Sequence, residues 1–193
     1  MAAPNKREAQ AEARRNQLLD VARRLFAEQG MERTSIKDIA LAAGVAQGLI
    51  YHYFRSKDDL FWAIIERDGP LPVLAAIFSG AETLPVRESL VRAMTRGYAA
   101  MAERQDLLRI VLHEALARPQ LQERLRTFQR MILGLMAGYL DGRVAAGELR
   151  PHDTQLTARM IGGALFALQF TGLPAEPYVG QVVDTLLRGI EAR

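Results

Sequence analysis

The stretch Thr34-Ser35-Ile36-Lys37-Asp38-Ile39-Ala40-Leu41-Ala42-Ala43-Gly44-Val45-Ala46-Gln47-Gly48-Leu49-Ile50-Tyr51-His52-Tyr53-Phe54 decides how this chain is read. Thr34 or Ser35 supplies an oxygen that caps a helix, and Asp38 falls in the first turn, where a carboxylate meets the positive end of the helix dipole. Ile36, Ile39 and Ala40 give that helix an inner face, and Gly44 stops it after about two turns. A second short helix follows from Ala46 to about Phe54. Two short helices joined at a glycine turn, with Ile39, Val45 and Ile50 to hold the angle between them, predict a helix-turn-helix. The second helix must then be short and polar outside to enter a major groove about 12 Å wide, a demand that Ala46, Gln47, Tyr51 and His52 meet.

Helical spacing continues on both sides. Leu18, Leu19, Ala22, Leu25 and Phe26 form one stripe that ends at Gly30. Ser56 caps a helix opened by Asp58 and Asp59 and carried on by Leu60, Ile64 and Ile65, until Gly69-Pro70-Leu71-Pro72 breaks it. Beyond this break, a helix from Val86 to about Met101 enters after Pro85, and Leu107, Leu108, Val111, Leu112, Ala115 and Leu116 mark the next. A helix from Pro119 to about Ala146, roughly 42 Å long, carries Leu121, Leu125, Phe128, Ile132, Leu135 and Tyr139 in a narrow sector. Thr154 to Thr171 is apolar almost all round, and Val179, Val182, Val183, Leu186, Leu187 and Ile190 form the last stripe. With no strand-like alternation, the expectation is an all-α fold of about nine helices. An N-terminal arm and helix-turn-helix domain over 1–57, a connecting helix over 58–69 and a second helical domain over 70–193 are expected.

The 193 residues are 49% hydrophobic and 24% charged, enough to build a sizeable core and too apolar for a disordered chain. There is no cysteine, which removes disulfides, thiolate nucleophiles and Cys-based metal sites and fits a reducing cytoplasm. No apolar run reaches the roughly 18 residues of a membrane span. Met1 to Asn16 is polar, so no secretory signal is expected, and a cytoplasmic location away from membranes follows. The net charge of +3 is uneven: Met1 to Lys57 carries ten basic against six acidic residues, while Asp58 to Arg193 carries fifteen against sixteen. A local basic excess suits a polyanion, although a solvated charged face gives the same count.

The helix-turn-helix, with Phe26-Ala27-Glu28-Gln29-Gly30 before it and Arg55-Ser56-Lys57-Asp58-Asp59-Leu60-Phe61 after it, resembles the DNA-binding domain of the TetR family of transcriptional regulators. The likeness is specific over about 50 residues; from Gly69 onward it extends only to a helical ligand-binding and dimerising architecture. The resemblance implies a double-stranded DNA operator as partner and a role for each matching residue. Lys37 and Gln47 match base-reading positions, where Lys favours guanine O6/N7 and Gln favours adenine N6/N7. Thr34, Ser35, Tyr51, His52 and Lys57 match positions that usually touch the phosphate backbone, which orient the domain without specifying sequence. Ala46 and Tyr53 complete the set, with Tyr51 and Tyr53 both open between contact and core, and Phe54 read as core. Arg14 and Arg15 match a basic arm near the minor groove or are simply solvated.

The resemblance further implies a homodimer released from a palindromic operator by a small hydrophobic effector. Met94, Tyr98, Met101, Phe128, Met131 and Tyr139, with Arg109 and His113, are the candidate effector residues; the same apolar residues would equally serve as core. His113 is open between effector contact and helix packing. Leu156, Met160, Leu168, Val182 and Leu186 on the last two helices are the candidate dimer interface. Gly134, Gly138 and Gly142 recur every fourth residue, a spacing that lets a helix or a ligand approach closely. No Gly-rich phosphate loop, Gly-x-Ser-x-Gly or metal motif occurs, and His113-Glu114 lacks the second histidine of a zinc protease, so neither an enzyme nor a cofactor is expected. The alternatives are an activator or effector-independent regulator and, further off, a helical enzyme or carrier.

Overall fold

The computed structural model describes residues 6–79, 84–171 and 174–190, which form helices α1 (Lys6–Gln29), α2 (Ile36–Ala43), α3 (Gln47–Tyr53), α4 (Lys57–Asp68), α5 (Leu71–Phe78), α6 (Val86–Ala102), α7 (Gln105–Ala117), α8 (Pro119–Ala145), α9 (Thr154–Thr171) and α10 (Ala175–Ile190). The all-α expectation holds. The added helix is α5: the Pro-rich break does end α4, but Pro72 falls in the first turn of the next helix, where a missing N–H costs nothing. The first five residues of the arm and the side chains of Leu116 and Ile190 lie outside the described residues.

The chain divides into two compact units, 1–69 with 105–118, and 70–104 with 119–193. In the first unit α1 packs on α2, α4 and α7. Its interior holds Leu18, Leu19, Phe26, Met31, Ile39, Ile50, Leu60, Phe61 and Ile64, with the Phe26 and Phe61 rings edge to face at 6.1 Å. Each such side chain contributes about 1.5–3 kcal/mol on burial. The helix from Gln105 was expected within 70–193, but it groups with residues 1–69. Arg23 of α1 pairs with Asp106 of α7 at 3.0 Å, and Arg118, just past α7, reaches Asp58 at 3.1 Å and also pairs with Glu32.

In the second unit α5 and α9 pack on α6 and α8, and α10 packs on α6 and α9. Its core runs through Leu90, Met94, Met136, Leu140, Ala158, Ile161, Leu165, Leu168, Val179 and Val183. Arg143 of α8, nearly buried, is held by Glu148 at 2.7 Å and by the Leu84 carbonyl at 2.7 Å.

Candidate nucleic-acid interface

Local chemistry sets the two helices of the motif. Ser35 caps α2: its Oγ accepts from the Asp38 N–H at 3.1 Å, while the Ser35 N–H and hydroxyl donate to Asp38 Oδ2 at 2.8 and 2.6 Å. The hydroxyl bond, followed by the backbone bond, holds the Asp38 carboxyl below the usual carboxylate range. Gly44 closes α2 at φ 66°, a left-handed conformation that suits glycine, and the Val45 N–H returns to the Ala40 carbonyl at 3.0 Å. Ile39 and Ile50 are fully buried and fix α3 against α2, and Phe54 is buried at the end of α3 with the Arg15 guanidinium 5.4 Å above its ring. Ser56 accepts from the Asp59 N–H at 3.0 Å and starts α4.

This scaffold leaves a coherent polar surface. Ser35, Lys37, Ala46, Gln47, Gly48, Tyr51 and His52 are all exposed, Tyr51 at 55%. Lys37, Gln47 and Tyr51 make no side-chain hydrogen bond or ion pair among the described residues, so their polar groups stand free for a partner. His52 packs edge to face on the half-buried Tyr53 at 5.2 Å.

Thr34 and Lys57, two of the expected phosphate contacts, are engaged inside the protein. Thr34 has no exposed surface; its hydroxyl donates to the Gly30 carbonyl at 2.8 Å and works as an internal tie at the end of α1. Lys57 is half-buried, and its ammonium donates to the Met31 carbonyl at 2.6 Å and the Thr34 carbonyl at 3.0 Å. Both residues brace the loop that carries Ser35. A residue passed over in the sequence is Gly48. A Cβ there would meet nothing within 4 Å, so no part of the chain requires glycine in the middle of α3. The signal was present as a helix-weakening residue inside the proposed recognition helix.

The expected effector residues do not converge. Met94 is fully buried in the second unit's core, Tyr98 and Met101 pack against that core, Phe128 is buried and Met131 is exposed. Arg109 and His113 lie on α7 in the first unit, both exposed. Two of the cavities that open in the second unit are lined by some of them. One of about 510 Å³ is lined by Phe78, Gly138, Tyr139, Gly142, Arg143 and Glu148 among others. A narrower one of about 290 Å³ is enclosed by Leu74, Met101, Ile132, Leu133, Leu165 and Phe166, with Gln129 and Arg159 as its polar side chains. A Cβ added at Gly134, Gly138 or Gly142 would also meet nothing within 4 Å, so no described helix presses on that row. Of the expected dimer residues, Leu156 and Met160 are half exposed, and Val182 and Leu186 pack partly against the core. Leu168 is fully buried, so it belongs to the core and presents nothing to a partner.

Residues 18–64 match the family model described as bacterial regulatory proteins, tetR family, and residues 89–171 match that of the tetracyclin repressor-like C-terminal domain. The chain is 34% identical over 140 residues to the HTH-type transcriptional repressor KstR2 of Rhodococcus jostii (strain RHA1), covering 67% of each. The chain belongs to the TetR family. This TetR-family chain is also 39% identical over 119 residues to the HTH-type transcriptional regulator AcrR of Shigella flexneri, covering 59% of itself and 54% of AcrR, so it spans about half of that relative's length. Its fold is shared with a solved SmeT–triclosan complex at a TM-score of 0.76, with 24% identity and coverage of 93% and 92% of the two chains. The matched models are those of regulatory proteins, not of an enzyme.

Proposed function

We propose that the chain is a cytoplasmic homodimeric repressor that binds a palindromic operator through α2 and α3 and is released by a small hydrophobic effector. The observation that carries the reading is the placement of Lys37, Gln47 and Tyr51: exposed, without internal partners, on two short helices whose geometry is locked by Gly44, Ile39 and Ile50. Gln47 and Lys37 read base edges in the major groove, and Ser35, Tyr51 and His52 hold the flanking backbone. KstR2, itself named a repressor, supports the direction of control.

A second copy of the chain covers the outer face of α9, where Leu156, Met160, Phe166 and Phe170 are exposed within a sector of about 120°. Four large apolar side chains on one helical face are a patch that a monomer rarely leaves to water. Dimerisation sets two recognition helices one DNA turn, about 34–36 Å, apart or at a related spacing.

The effector occupies the 290 Å³ cavity. Its wall includes Pro70 and Leu74 at the start of α5 and Met101 near the end of α6, close to where the chain passes between units at 69–70 and 104–105. Occupancy is thereby linked to α4 and α7 through the backbone, and operator and effector affinities oppose one another by the same factor. SmeT, of the same fold, holds the small aromatic triclosan. The test is a gel shift with DNA from upstream of the chain's own gene: a retarded band competed by that DNA but not by random duplex supports the reading, and equal competition refutes it.

A further inference from the structure

These two cavities of the second unit, among others there, differ in how their polar groups are satisfied. In the larger one, Arg143 is committed to Glu148 and the Leu84 carbonyl and stacks on Tyr139 at 5.1 Å. In the smaller one, Arg159 and Gln129 form no hydrogen bond or ion pair among the described residues. Both are exposed, so they sit at its mouth, which borders the α9 face of Met160 and Phe166 assigned to the second copy, while Leu74, Met101, Ile132, Leu133, Met136 and Leu165 make the interior apolar. Apolar depth beneath one unpaired cation and one neutral amide is complementary to an amphiphile with a single negative charge.

From this we infer that the cavity binds an amphipathic monocarboxylate, its apolar body inside and its carboxylate on Arg159, with the Gln129 amide donating to the same group. The inference rests on the cavity being the effector site and names the chemistry of the effector. Arginine's planar fork matches a carboxylate through two parallel N–H bonds. A phosphate monoester brings about two charges at pH 7 and is matched less well by one guanidinium. At about 290 Å³ the cavity lies at the small end of the roughly 300–1,000 Å³ of small-molecule pockets. An aliphatic acid of octyl size or a substituted aromatic acid suits that scale.

The experiment is isothermal titration of the full chain with octanoate, 1-octanol and octylammonium, which share one apolar body and differ in head charge. Octanoate is expected to bind roughly ten- to a hundred-fold tighter than octanol, the range for a hydrogen bond to a charged group. Arg159→Gln removes that preference while octanol binding and the oligomeric state by light scattering stay unchanged, and Arg159→Lys restores part of it. Equal binding of acid and alcohol, absence of binding by either, or an octanoate preference that survives Arg159→Gln overturns the inference. So does a loss of dimer in Arg159→Gln with the preference intact, which would place Arg159 in an interchain ion pair.

The underlying effector reading is tested separately. Ile132→Trp fills the cavity and is expected to abolish binding of both compounds; unchanged binding would move the ligand elsewhere and overturn the assignment. If octanoate binds with the expected dependence on Arg159 yet leaves operator affinity unchanged, the ligand chemistry stands and the effector reading falls.

Discussion

The Lys57 ammonium donates at 2.6 Å to the Met31 carbonyl, tying the first turn of α4 to the loop that leads into α2. A second bond at 3.0 Å to the Thr34 carbonyl spends another of its three donors inside the protein. Lys57→Gln is therefore expected to lower stability by about 1–2 kcal/mol in urea denaturation. The dependence of log K for operator binding on log salt should keep its slope; a slope shallower by about one would show that Lys57 neutralises a phosphate.

Gly48 divides stability from function. Gly48→Ala removes backbone freedom from the unfolded chain and meets no neighbour, so the folded state should gain about 0.5–1 kcal/mol. Operator affinity should fall at the same time if the missing Cβ is what lets the DNA come close. Parallel denaturation and DNA titrations decide this, and a variant both more stable and equally tight on the operator would remove Gly48 from the interface.

Acid should weaken the cap of α2. The hydrogen bonds from Ser35 favour the ionised form of Asp38, so its folded pKa lies below its unfolded one. The resulting stabilisation is complete above the unfolded value near 3.9 and disappears as pH falls through the folded value. Asp38→Ala should be less stable than the parent chain at neutral pH and should approach it as pH drops below about 4. A stability difference that stays constant across that range would contradict the capping role.

Met160 probes the outer face of α9. Because the side chain is 53% exposed, Met160→Asp should fold normally yet run as a monomer in light scattering. Operator affinity should then drop by about 10²–10⁴-fold, since each half-site is held without its linked twin. Leu168→Asp, on the buried face of the same helix, should unfold the second unit instead.

What was legible in the sequence was local. Ser35, Gly44 and Ser56 announce helix ends through the chemistry of their own side chains or backbone, and α2 begins and ends, and α4 begins, where those residues place them. Phe54 was legible as core through the family resemblance, which implies that this aromatic packs the third helix on the fourth. What was not legible depended on tertiary partners. Pro70 and Pro72 read as a break, but a proline in the first turn starts a helix as readily as it stops one. Thr34 carries the same hydroxyl whether it faces a phosphate or the Gly30 carbonyl, and only the packing of α1 turns it inward. Nothing in the stripe of α7 tells which unit it will join; its packing on α1 does, and Asp106 and Arg118 add ion pairs to Arg23 and Asp58. A stripe of Met and Tyr describes a core and a cavity wall equally well, so Met94 fell in the core while Gln129 and Arg159, polar and unremarked, marked the mouth.

The central claim is that Lys37 and Gln47 read DNA sequence from the helix-turn-helix. It is tested most directly by fluorescence anisotropy of the full chain, Lys37→Ala and Gln47→Ala on upstream DNA and on random duplex across a salt series. The parent chain is expected to prefer the upstream site by about 10³-fold or more, and each substitution to cost about 1–3 kcal/mol on that site while nearly sparing random duplex. Equal affinity for both duplexes at every salt concentration, or a preference untouched by both substitutions, would contradict it.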